Sequence, residues 1–152
     1  MRAGGRTLAT FHVLLAVRQH GKIHTLAMLH ARSVVVITVQ ELLDTDSLGL
    51  KGIAGLAGTH RLINWAHAVD LPDPWRWVSA GNLVMTTGTG IPRSPKEQVH
   101  WLELLAQTNC SALVVAPQAG APKLSKQMLE TAERLMFPVL GASFELEFVK
   151  LA

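Results

Sequence analysis

Cysteine is nearly absent from this chain. The single Cys110 excludes an internal disulfide framework and offers no cysteine cluster for a metal. That usage fits a reducing compartment. No apolar run approaches the ~20 residues of a membrane span, so no membrane partner is expected. Acidic residues are missing from positions 1–33, which hold Arg2, Arg6, Arg18, Lys22 and Arg32. The other 9 basic residues and all 11 acidic ones lie in 34–152, so the body is slightly acidic. The basic balance of the whole chain belongs to its front, and does not by itself argue for nucleic acid. What remains is globular: hydrophobic residues make up 49% and charged ones 16%. At 152 residues, that is enough for one domain with a real core.

Two units follow: a basic N-terminal extension, 1–33, and an organised domain, 34–152. In the extension, Leu8, Phe11 and Leu15 have helical spacing over Thr7–Gln19, His20-Gly21 is a stop, and Ile23–Arg32 could form a second helix. Three readings stand open: a DNA-contacting helix pair, a targeting peptide, or an extension without a role of its own. His12, His20, His24 and His30 suggest metal by count alone. Gly21 interrupts the one pair at helical spacing, and no metal or other cofactor is expected.

The organised part opens with the β-branched run Val34–Ile37. Thr38-Val39-Gln40-Glu41 then has capping-box spacing and starts a helix to about Asp44. Lys51–Gly55 reads as a strand, Gly55–His60 as a glycine-rich turn, and Leu62–Val69 as the next strand. In Asp70-Leu71-Pro72-Asp73-Pro74-Trp75 the prolines end that strand, and Asp73-Pro74 starts a short helical turn. Trp75, Trp77 and Val78 are expected to supply apolar cover. Asp70, Asp73 and His67 have two readings each. The carboxylates either cap and turn the chain or do acid–base work, and the histidine is either a half-buried strand residue or part of a site.

The chain is organised around Gly81–Gly90. A glycine turn leads into the apolar strand Leu83-Val84-Met85-Thr86, which ends in Thr87-Gly88-Thr89-Gly90. A strand that delivers a hydroxyl-and-glycine loop is where an open α/β sheet places a ligand. The loop lacks the third glycine of a dinucleotide fingerprint and the Gly-Lys-Ser/Thr of a phosphate loop. Ser94-Pro95-Lys96-Glu97 opens a helix with Val99, Leu102, Leu105 and Ala106 inward and His100 and Glu103 solvated. Ser111–Ala116 is a second all-apolar strand, with Cys110 packed at its entrance. A helix over Leu124–Phe137 follows, with Leu124, Met128, Ala132, Leu135 and Met136 inward and Glu130 paired to Arg134. Val139-Leu140 is a third parallel strand, and Ser143–Ala152 a last helix or partner-facing segment. The fold class is α/β: a small three-layer domain with a mostly parallel sheet built from βαβ units. The Thr86–Gly90 and Pro117–Gly120 loops then share one carboxyl edge.

Ile37-Thr38-Val39-Gln40-Glu41-Leu42-Leu43, Trp65-Ala66-His67 with Asp70–Pro74, and Ala80–Gly88 resemble three ordered blocks of the purine-catabolism regulator (PucR-like) family. The resemblance covers roughly 37–145. It implies a sensor domain of a cytoplasmic bacterial transcription regulator, placed ahead of a DNA-binding helix-turn-helix that this chain does not include. It also implies a fold similar to the N-terminal domains of Mur ligases. The expected function is therefore metabolite sensing without catalysis. A small purine-derived metabolite would lie over Thr86, Thr87 and Gly88, with Asp70, Asp73 and His67 nearby. A homodimerising interaction module whose basic front contacts DNA is the alternative, followed by a small hydrolase. No nucleophile elbow or Ser-His-Asp order supports the hydrolase.

Overall fold

The structure, a computed structural model, describes residues 36–142, and ahead of them only the paired backbone of β1 (Arg18–Gln19) and β2 (Lys22–Ile23). That antiparallel pair corrects the expected helices at Arg18–Gln19 and Ile23, where strand pairing takes up the backbone groups a helix would use. The rest of both helices, Val34, Val35 and the tail Ser143–Ala152 lie outside the described residues.

Then come β3 (Ile37–Thr38) and α1 (Val39–Leu43). The capping box forms as expected: the Thr38 hydroxyl accepts from the Glu41 amide, and Glu41 Oε2 accepts from Thr38 N–H at 2.8 Å. Next are β4 (Lys51–Ala54), β5 (Leu62–Ile63), β6 (Trp65–Ala68), β7 (Asn82–Thr86), α2 (Pro95–Ala106), β8 (Ala112–Val115), α3 (Lys126–Arg134) and β9 (Val139–Gly141). One sheet of five strands runs in the order β4-β9-β8-β7-β6. β6 to β9 are parallel, and β4 pairs antiparallel with β9. β3 and β5 form a separate antiparallel pair.

The layering follows from the order. β6, β7, β8 and β9 step across the sheet in one direction, so crossovers of one hand place their connections on one face. Val84, Leu113 and Val139 meet Trp101 and Leu102 of α2 and Met128 and Ala132 of α3 on that face. The alternate residues Leu83, Met85, Ala112, Val114 and Leu140 meet Val39 and Leu42 of α1 on the other. Every residue of β7 and β8 is buried, as a strand covered on both faces requires. The α/β class and the mostly parallel sheet are thus observed.

Several local expectations change. The strand read over Leu62–Val69 breaks at Asn64, where β5 pairs with β3 and β6 with β7. Ile63 and Ala66 both enter the α1-side core. An odd spacing of that kind is impossible on one face of an unbroken strand. Trp77 is 59% exposed and Met136 52% exposed, because both sit past the end of their helix. On α2, Val99 and Ala106 are only half-buried, and Glu103 is half-buried where a solvated side chain is expected. Arg134 pairs across to Glu103 at 3.0 Å, and Glu130 pairs with Lys126 instead.

Cys110 is a packed thiol, as expected, with Sγ donating to Leu105 O at 3.6 Å. Burial pushes its pKa up, against smaller opposing effects of Thr108 and Arg61. A disulfide exchange reagent at pH 8 should label it at least about a hundredfold more slowly in the native protein than in urea. Native labelling within tenfold of the unfolded rate would contradict this packing.

Candidate functional site at the carboxyl edge

Three loops leave the carboxyl ends of adjacent parallel strands: Val69–Asp73 after β6, Thr87–Ser94 after β7, and Ala116–Ser125 after β8. They are bonded to one another. Val69 N–H donates to Met85 O at 2.8 Å, carrying the β6–β7 pairing to the rim. Asp70 follows directly. Its Oδ1 accepts from the Thr86 hydroxyl at 2.8 Å and from the Thr87 amide at 2.7 Å. The Thr86 oxygen in turn accepts from the Gly88 amide at 3.0 Å. Gln118 N–H donates to Thr87 O at 3.1 Å, and Arg93 Nη2 to Gly120 O at 3.2 Å.

Gly88 has φ +86, a left-handed conformation that favours glycine. Gly90 lies so close to the carbonyls of Leu71 and Asp70 that a side chain there would displace the loop. The two glycines therefore shape the rim, and do not leave it open for mobility.

The six expected site residues separate into two groups. Asp70, Thr86, Thr87 and Gly88 come together in the latch just described. Thr86 is only 2% exposed, and its hydroxyl is taken up within that latch. Thr87 and Thr89 present the outward hydroxyls, 3.4 Å apart. Asp73 lies apart, in an ion pair with Arg76 at 3.2 Å. His67 sits half-buried within β6, opposite Val84 in the register. Among the described residues no hydrogen bond joins His67 to either aspartate.

Sequence reasoning missed Gln98, which is wholly buried on α2. Its Nε2 donates to Pro92 O at 2.9 Å and Lys123 O at 3.0 Å, and its Oε1 accepts from Ser125 N–H at 2.7 Å. One amide thereby holds the ends of two rim loops. A polar residue in an apolar helical stripe is the only signal in the sequence. Also unforeseen is an open groove of about 710 Å³ beside the rim, lined by none of the six expected site residues. Pro72, Trp75, Pro92 and Trp101 supply its apolar lining, and Ser94, Lys96, Glu97 and His100 its polar lining. Trp101 Nε1 donates to Pro72 O at 3.0 Å, tying α2 to the loop after β6.

Residues 41–152 match the model of the purine catabolism regulatory protein-like family. The chain belongs to this family. Among curated relatives, the transcriptional activator PmfR of Paenarthrobacter nicotinovorans is 36% identical over 105 residues, which is 69% of this chain and 22% of that protein. The purine catabolism regulatory protein of Bacillus subtilis (strain 168) is 24% identical over 88 residues, 58% of this chain and 17% of that protein. The chain thus spans about a fifth of the length of these relatives. A solved structure of the CBS and DRTGG domains of the regulatory region of a Clostridium perfringens pyrophosphatase, complexed with its activator diadenosine tetraphosphate, is similar at 17% identity. Its TM-score is 0.45, over 66% of this chain and 41% of that one. The family's match begins within α1 and includes the latch, Gln98 and the groove. Among the described residues no helix is long and apolar enough to cross a membrane.

Proposed function

We propose that this domain is the metabolite-sensing module of a bacterial transcription regulator of purine or nitrogen catabolism, and that it binds its ligand without transforming it. The observation that carries this reading is the Asp70–Thr86–Thr87 latch at the carboxyl edge of a parallel sheet, in a family whose named relatives are regulators. Thr86 and Gly88 hold the loop's shape. The Thr87 and Thr89 hydroxyls meet the carbonyl oxygens of a purine-like or ureide ligand, and the remaining Asp70 oxygen accepts its N–H groups. The body of the ligand occupies the groove by Pro72 and Pro92, whose size is ordinary for small-molecule sites at about 300–1,000 Å³. Neither Asp73 nor His67 is needed for this arrangement.

Thermal unfolding with xanthine, urate and allantoin tests it. A ligand at 100 times its dissociation constant adds about 2.7 kcal/mol of stability, several degrees in melting temperature. Thr87→Ala should reduce that shift at the same ligand concentration. No shift from any of the three, with a cooperatively folded sample, would sink the reading.

A further inference from the structure

The five-stranded sheet has two edges, and they are built differently. At one edge β4 carries Lys51 and a register shift between Gly52 and Ala54. A charge and a bulge are the usual protections against edge-to-edge pairing. The other edge is β6, which among the described residues pairs on one side only, with β7. From Leu62 to Val69 there is no charged residue and no proline.

The backbone of β6 is set for further pairing. Val69 N–H points to β7, where it meets Met85 O. Strand alternation then turns His67 the same way, and directs the N–H and C=O groups of Ala66 and Ala68 outward. Exposed apolar side chains lie on β6 and shortly before and after it in the chain. Leu62 is 58% exposed, Trp65 47%, Leu71 46% and Trp77 59%.

We propose that β6 pairs antiparallel with the β6 of a second copy, joining two five-stranded sheets into one. Symmetry favours this occupant, because a twofold contact presents the same patch from both sides. Apolar surface points the same way: the exposed side chains of Trp65, Leu62 and Leu71 would be covered from both copies, together with the backbone of the two paired strands. Charge agrees as well. A neutral strand offers no counter-charge to an acidic or basic peptide, whereas a second copy brings an equally neutral one. This interface is independent of the ligand reading.

Sedimentation velocity of the full chain at roughly 100 µM should show a dimer. Ala68→Pro removes only an outward N–H, a change an edge strand tolerates. Trp65→Lys places a charge in the seam, at a side chain outside the core. Each should weaken dimerisation at least tenfold while the far-ultraviolet circular dichroism stays native. If Ala68→Pro proves misfolded, Trp65→Lys decides. Hydrogen exchange gives a readout free of variants: the Ala66 and Ala68 amides should be protected in the dimer and exchange freely on dilution. A monomer at that concentration overturns the proposal. So does a dimer that neither folded variant weakens. Amides that stay protected in a monomer would show the edge covered by the chain itself, and also overturn it.

Discussion

Replacing Gln98 with leucine should cost the domain about 3–5 kcal/mol, a drop of roughly 10–20 °C in melting temperature. The side chain is wholly buried and makes three hydrogen bonds, to the carbonyls of Pro92 and Lys123 and from the amide of Ser125. Leucine fills similar space but leaves three backbone groups without partners, at about 1–3 kcal/mol each where water cannot reach them. The loss also reaches α3. Ser125 caps that helix by accepting from Met128 N–H at 3.1 Å, and Gln98 holds the Ser125 backbone in place. Gln98→Glu should be no better, since a carboxylate cannot donate to two carbonyls. Urea unfolding measures the effect. A loss under about 1 kcal/mol would mean that the loops are held by their own turns.

The second large effect is expected at the latch. Asp70→Ala leaves the buried Thr86 hydroxyl and the Thr87 amide without their acceptor, at about 2–3 kcal/mol together. Asp70→Asn keeps an acceptor oxygen, and should cost about 1 kcal/mol. Thr86→Val keeps the shape but removes both the donor to Asp70 and the acceptor for Gly88 N–H, so it should match Asp70→Ala. Since the two side chains share one bond, the double variant should lose about 1–2 kcal/mol less than the two losses added together. Strict additivity would show that Asp70 and Thr86 act separately. In the sensing reading, these variants also lose the response to ligand, because the loop that presents Thr87 and Thr89 no longer has one shape.

Both sites show how far the chain could be read. Asp70, Thr86, Thr87 and Gly88 stood out by residue type, and they do meet. Thr86, at the end of a doubly covered strand, is buried, and its hydroxyl serves Asp70 and Gly88. Asp73 is close to Asp70 in sequence, but it pairs with Arg76, three residues further on. The role of Gln98 is not legible in the sequence, because an amide in an apolar stripe has no assigned partner until the segment leading into α3 is placed.

Local rules acting over a few residues determined much of this protein from sequence alone. They set the caps at Thr38 and Ser94, the all-apolar strands β7 and β8, the glycine-shaped rim loop and the βαβ order. Each depends on backbone groups and side chains within about one turn or one strand, so neighbouring residues carry the whole signal. Tertiary structure decided the rest: the break at Asn64, the partners of Gln98 and Arg134, the groove beside the rim, and which strand ends the sheet among the described residues. Those depend on which distant segments become neighbours. That choice is made by the burial of both sheet faces at once, and no short window of the chain contains it.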